Sequence, residues 1–416
     1  MCIVLLVAGG EKYFNIIGKS RRKVLSVSAI LFLIFVFLKP LYLFPSGGLG
    51  VGDAVLAAAF LSALIRRLKK GRRGLLYRED YFFYAFLAGV FLVNGWYYIL
   101  SPHNDFIRNT AYWLYGCMLL WTLREVAGEK NFLLYLNRIL KLILVVQLAV
   151  YVLGAGRIYY EYWDANRYMG TFNNPNQMAY VLFLTILLIY CYDSEHHKRS
   201  FWLFYIIDGF LILLTKSTGI FLGWTLLAAG SGCICIYRQY KAGRISGRFL
   251  CCIGAILTAA LVIGLWLIWP EQGFTIQDKE YNILTRIQEK LALLSQGGIR
   301  KLIVDRGGEK ILYYPEYLLY GAGEGFFERF PLAVVWKSEI HSTPFSIWFS
   351  YGIIPMALML VWLWRNMKGA PVHYWPAYIA LLAESMTVIN YRQPFFWMIL
   401  AYASIKSASH NYGGGS

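Results

Sequence analysis

Two kinds of residue in this chain are suited to chemistry. One is His341, followed by Ser342 and a long apolar run. Histidine is the usual general base near neutral pH. The other is a set of cations, Arg157, Arg167, Lys216, Arg286, Arg300, Arg306 and Arg392. Guanidinium forks match phosphate oxygens. Several of them around one phosphate region neutralise a diphosphate leaving group without a metal ion. A base beside such a cluster suits transfer from a diphosphate to a hydroxyl. Plainer roles compete: an imidazole at the lipid head-group level, and arginines that are solvated or anchored to anionic lipid.

The stretch Arg167-Tyr-Met-Gly-Thr-Phe-Asn-Asn-Pro-Asn176 adds detail. Pro175 suits the first turn of a helix and Asn174 its cap, with Asn176 beside them. A helix start offers N–H donors to an anion, and Arg167 adds charge. A capped helix next to a solvated arginine explains the same residues. Gly321-Ala-Gly-Glu-Gly325 imitates part of a nucleotide loop but lacks the lysine and the preceding strand. The seven cysteines show neither zinc spacing nor a disulfide framework. No metal or cofactor is expected.

The elements that must position these groups are membrane helices. The chain has 416 residues, 58% of them hydrophobic and only 15% charged, with a mean hydropathy of +0.49. Soluble domains carry nearer 25% charge. Apolar runs predict about twelve spans, near 24–44, 48–65, 81–100, 110–123, 131–153, 176–192, 201–214, 220–237, 250–269, 344–363, 374–389 and 393–406. The expectation is an all-α polytopic membrane protein. It has nine spans in 1–269, one large, partly helical extracytoplasmic loop in 270–340 and three spans in 341–412, with 413–416 read as an appended tail. The first residues show no cleavable signal peptide.

The net charge of +17 would suggest nucleic acid in a soluble protein. Here it is topological. Strict alternation places Lys19 to Lys23, Arg66 to Arg73, Arg124, Lys130, Arg138, Lys198, Arg199, Arg238 to Arg248, Arg365 and Lys368 on one side. That side is cytoplasmic, with both termini. Arg157, Arg167, Lys216 and Arg392 then fall outside, in short segments or near span ends, where a bound anion would account for them. Of the six histidines only His103 and His341 fall there. Within the loop, Ile283, Leu284, Ile287, Leu291 and Leu294 share one helical face before Gly297 and Gly298. Gly321, Gly323 and Gly325 predict a flexible turn. Asp53, Asp208 and Glu384 lie in apolar runs and are expected to be paired, Asp53 with an outer arginine.

The order of these pieces resembles the bacterial O-antigen ligase and polymerase family. The match runs from Arg167 through Gly170-Thr-Phe-Asn-Asn-Pro-Asn176 and Thr215-Lys-Ser-Thr-Gly219 to the long loop with Gly321-Ala-Gly323. It closes on His341-Ser-Thr-Pro-Phe-Ser-Ile-Trp-Phe-Ser-Tyr-Gly352. It covers roughly residues 165 to 365. The resemblance implies a metal- and nucleotide-independent glycosyltransferase on the outer face of the inner membrane, with a glycan on undecaprenyl diphosphate as donor. His341 would be the base, Arg167 a diphosphate ligand, and Arg300 or Arg306 the long-loop arginine. Two positions depart from the family: Ser342 where Asn is frequent, and Ser217-Thr218-Gly219 where Ser-Arg-Gly is frequent. Lys216 would replace the missing charge. The expected activity is polymerisation of lipid-linked repeat units, inverting, with a glycan acceptor and a chain-length regulator as partners and no nucleic acid. A ligase that passes glycan to lipid A core, and a lipid-linked oligosaccharide flippase, are the alternatives. Tyr159, Tyr160, Tyr162, Trp163 and Trp336 are candidates to stack on sugars.

Overall fold

The computed structural model describes residues 25–42, 50–71, 76–160, 166–247, 249, 252, 262–271, 274–275, 280–333 and 339–413. Most of the ninth expected span lies outside them. So do Tyr162, Trp163, Trp336, Arg72, Arg73, Arg248 and the cations 19–23.

The protein is mostly helical. Five helices come first: α1 (Val27–Leu38), α2 (Val51–Lys69), α3 (Tyr81–Leu100), α4 (Asn104–Ala127) and α5 (Phe132–Val152). A two-stranded antiparallel hairpin follows, β1 (Arg157–Tyr160) and β2 (Asn166–Gly170), with Tyr159 opposite Arg167. It departs from an all-α reading. The strands are too short to announce themselves by alternation. Next come α6 (Pro175–Glu195), α7 (Ser200–Thr215) and α8 (Thr218–Lys241), then α9 (Ile283–Asp305), α10 (Glu309–Tyr313) and α11 (Tyr317–Tyr320). The chain ends with α12 (Thr343–Tyr351), α13 (Ile353–Met367), α14 (Trp375–Ser385) and α15 (Pro394–Gly413).

Among the described residues four helices are long and apolar enough to cross a bilayer: α3 with the turn before it (Arg78–Leu100), α5, α6 and α8. Residues 178 to 193 of α6 are all buried. A helix apolar on every side belongs at the centre. Other helices expose large apolar side chains, such as Leu92 at 74% and Ile99 at 75%. Hydrocarbon accommodates such a surface better than water does.

The three carboxylates of the apolar runs have different fates. Asp53 accepts from Lys39 Nζ at 2.7 Å and from the Tyr115 hydroxyl at 2.6 Å, so its partner is a lysine. Glu384 accepts from Asn390 Nδ2 at 2.7 Å. Asp208 is fully buried, and neither carboxylate oxygen has a hydrogen-bond partner among the described residues. The expected pairing does not extend to it.

Two glycines correct the expected span 344–363. The helix breaks at Gly352 (φ +81°), and this residue lies against Gly321 (φ +83°). A Cβ on Gly321 would come within 2.6 Å of the Tyr351 backbone, and one on Gly352 within 2.6 Å of the Leu319 carbonyl oxygen. The close approach lets Ala322 N–H donate to Phe349 O at 2.9 Å and Gly323 N–H to Ser350 O at 2.8 Å. These donors satisfy carbonyls that the end of α12 leaves open. The glycine segment is therefore buried and tied down, not a flexible turn. Gly321→Ala is expected to cost about 1–3 kcal/mol of stability from backbone strain alone, read as a lower melting temperature in detergent. Gly369→Ala, where a Cβ meets open space, should leave the melt unchanged.

The loop helix α9 is a folded pair of arms. Gly298 (φ +60°, ψ −159°) breaks it. Lys290 Nζ then reaches Asp305 Oδ2 at 3.0 Å, whereas 15 residues of straight helix would separate them by about 22 Å. Asn282 caps the first arm by accepting from Leu284 and Thr285 N–H.

Candidate active site

His341 sits where the loop re-enters the helical body. Its N–H donates to the Arg306 carbonyl at 2.7 Å, which ties it to the end of α9. Two residues on, Thr343 N–H and Oγ1 both donate to Val388 O, at 3.0 and 2.8 Å. The imidazole is thus set between the second arm of α9 and the turn before α15. Burial pushes its pKa below the ordinary value; Glu339 opposes this, and Arg306, Arg392 and Lys310 reinforce it. The shift favours the neutral ring, the form a general base requires. Lys310, wholly buried, is itself pushed down to about 8 by burial, against the pull of Glu309 and Glu339. His103, the other histidine expected outside, caps α4 by accepting from Asp105 N–H at 3.3 Å and stacks on Phe326.

Three of the predicted cations, Arg167, Lys216 and Arg286, come together at the end of α7, and Arg306 is coupled to them through Arg286. Arg167, buried on β2, donates from Nε to Thr215 O at 2.8 Å and from Nη2 to Asn176 Oδ1 at 2.5 Å. Arg286 donates from Nη1 to Lys216 O at 3.1 Å. Lys216, left-handed at φ +53°, donates to Asn166 Oδ1 at 3.2 Å, and it shares the Tyr281 ring with Arg286. Arg306 is near enough to feel Arg286: burial and then that repulsion lower its pKa, against Asp305. Its Nη1 donates to Thr387 O at 3.1 Å. The carbonyl end of a helix attracts cations, which explains the gathering around residues 215 and 216. Asn174 caps α6, accepting from Asn176 and Gln177 N–H, with Pro175 in the first turn.

Three predicted cations stand elsewhere. Arg300 is exposed on the second arm of α9 and is not part of the cavity wall described below, because the helical turn that points Ile299, Leu302 and Ile303 inward points it outward. Arg157 is on β1 and donates to Asn173 Oδ1 at 2.6 Å. Arg392 engages Glu324 through Nη2 and Glu339 through Nη1, each at 2.7 Å. Lys310, Glu324, Glu339 and Thr387 belong to this neighbourhood without having been singled out. Each comes from a separate segment, and only the two-residue spacing from Glu339 to His341 carried a hint.

Beside Arg306 lies a cavity of about 820 Å³. Its wall is mainly apolar: Ile287, Leu291 and Leu294 from one arm of α9, Leu302 and Ile303 from the other, Phe221 and Leu222 from α8, and Phe345. Arg306, Lys290, Thr218, Ser342 and Thr387 supply its polar atoms. An apolar chamber with cations in the wall takes an amphipathic anion. Tyr159 and Tyr160 are exposed on β1. Comparison with protein families returned no match for this chain, and comparison with curated proteins returned none either.

Proposed function

We propose that this protein is a membrane glycosyltransferase that polymerises glycan repeat units carried on a lipid diphosphate, the activity implied by the resemblance to the O-antigen ligase and polymerase family. One observation carries the reading. The half-buried His341, its imidazole shifted toward the neutral form, donates its backbone N–H to Arg306, and Arg306 forms part of the wall of an apolar cavity. Arg306, with Arg286 and Lys216 near it, meets the diphosphate. The cavity receives the start of the prenyl chain. His341 takes the proton from an acceptor hydroxyl, whose oxygen attacks the anomeric carbon from the face opposite the diphosphate. The C–O bond to phosphate breaks, and the departing dianion is stabilised by the cations. Configuration inverts.

The reading includes about twelve spans, cytoplasmic termini and an outward-facing site. Salt bridges between elements support that sidedness. Arg66 with Glu129 and Arg124 with Asp80 join groups expected on the cytoplasmic side. Arg392 with Glu324 and Lys39 with Asp53 join groups expected on the other. A flippase also needs cations beside an apolar path but has no need of a neutral base. A ligase shares the donor chemistry and differs in product.

The test uses purified protein in liposomes with undecaprenyl-diphosphate repeat units and no ATP, sugar nucleotide or added metal. Ladders of lipid-linked polymer are expected. Glycan moved onto lipid A core would instead make the protein a ligase. Translocation without any new glycosidic bond would overturn the proposal.

A further inference from the structure

The glycine segment dismissed as a nucleotide loop contains the most heavily bonded carboxylate among the described residues. Glu324 is 1% exposed. Its Oε1 accepts from Arg392 Nη2 at 2.7 Å and from the Tyr391 hydroxyl at 2.6 Å. Its Oε2 accepts from Tyr351 at 2.5 Å and from Trp113 Nε1 at 3.0 Å. Its backbone is fixed as well: the N–H donates to Asn94 Oδ1 at 2.8 Å and the carbonyl accepts from Asn109 Nδ2 at 2.9 Å. A buried carboxylate this fully satisfied is rigid. It grips one end of the Arg392 guanidinium, and the other end holds Glu339 at 2.7 Å. Glu339 is two residues before His341 and is part exposed.

Building on the proposed glycosyl transfer, we propose that Glu324 is a positioning residue for His341, acting through Arg392 and Glu339. Glu324 holds the guanidinium still, and the guanidinium holds Glu339. That carboxylate is then occupied by a fixed cation and is kept from charging the imidazole. The groups that face His341 are Glu339 on its own segment, Arg306 from the end of α9, Lys310 from α10 and Arg392 from the turn before α15. Glu339 alone favours the protonated ring; the three cations oppose it. Glu324 is not among these groups; its contact nearest the ring is Arg392.

The test reads the ring directly and so does not depend on polymer formation. Protein labelled with ¹³C-histidine is titrated by NMR in nanodiscs, with His341 assigned by its absence in His341→Ala. In Arg392→Gln the His341 midpoint is expected to rise by about one pH unit, since a cation is lost and a carboxylate freed. Glu339→Gln in that background should bring it back down. Glu324→Gln should move it in the same direction as Arg392→Gln. Folding is checked by the thermal melt. Glu324→Asp keeps the buried charge but shortens its reach, so it tests the Glu324 link where Glu324→Gln does not fold, and an unmoved midpoint in both folded Glu324 variants overturns the role of Glu324; the Arg392→Gln and Glu339→Gln pair tests the rest of the chain. An unmoved midpoint in folded Arg392→Gln overturns the positioning role, as does failure of Glu339→Gln to reverse the shift. If wild-type protein makes no polymer while these shifts appear, the enzymatic reading falls and the positioning chain stands.

Discussion

His341→Ala is expected to lower polymer formation by about 10²–10⁴-fold, the usual contribution of a positioned base, with donor binding largely kept. The hydrogen bond to the Arg306 carbonyl is made by the backbone N–H of His341, so alanine preserves it and the protein should fold. The pH profile gives a second check with a definite sign. The working form is the neutral ring, and burial with three neighbouring cations lowers its pKa. Activity should therefore rise with pH through a midpoint below the ordinary histidine value of about 6.5, and stay flat from there to neutrality. A limb centred above that value would mean Glu339 charges the ring after all. Polymer ladders as long and as fast in His341→Ala as in wild type would remove His341 from the chemistry.

Arg306→Gln is expected to cost about 10²–10³-fold in kcat, the usual effect of losing one donor aimed at developing charge. Arg300→Gln, six positions earlier, should stay near wild type. Both arginines belong to the same loop and both fit the resemblance. They differ in that Arg306 helps form the cavity wall while Arg300 faces out. Initial rates of ladder formation over a range of donor concentrations distinguish the two roles. Loss of kcat marks charge stabilisation in the transition state, and loss of KM alone marks ground-state holding. Equal losses in both variants would mean that the second arm of α9 turns about Gly298 when substrate binds. Equal indifference would move the diphosphate to Arg286 and Lys216.

Much of the candidate site was legible in order along the chain. Arg167, Lys216, Arg286 and Arg306 were each suspect for being basic on the outer side; the fold draws the first three around the carbonyl end of α7 and sets Arg306 where it feels Arg286. The same reasoning picked Arg157 and Arg300, and nothing in residue type separates these from the others. The difference is a strand face and a helical turn. Glu324 was passed over with its glycines because the stretch lacks the lysine and strand of a nucleotide loop and otherwise predicts only a flexible turn. Here the glycines serve the opposite end: without Cβ atoms, Gly321 and Gly352 let two backbones touch, and the contact buries the carboxylate.

Composition and apolar run length were enough to predict long helices able to cross a bilayer, because a bilayer admits few backbone solutions and each demands long apolar stretches. Position in the alternation of charged loops narrowed six histidines to His103 and His341, and the resemblance chose His341. Which arginine faces the cavity, why Arg392 is bound by carboxylates, and that α9 folds back on itself were decided by tertiary structure alone. Those outcomes turn on contacts between residues dozens to hundreds of positions apart, such as Trp113, Glu324 and Tyr391. Local sequence carries the chemistry of each partner but not the distance between them.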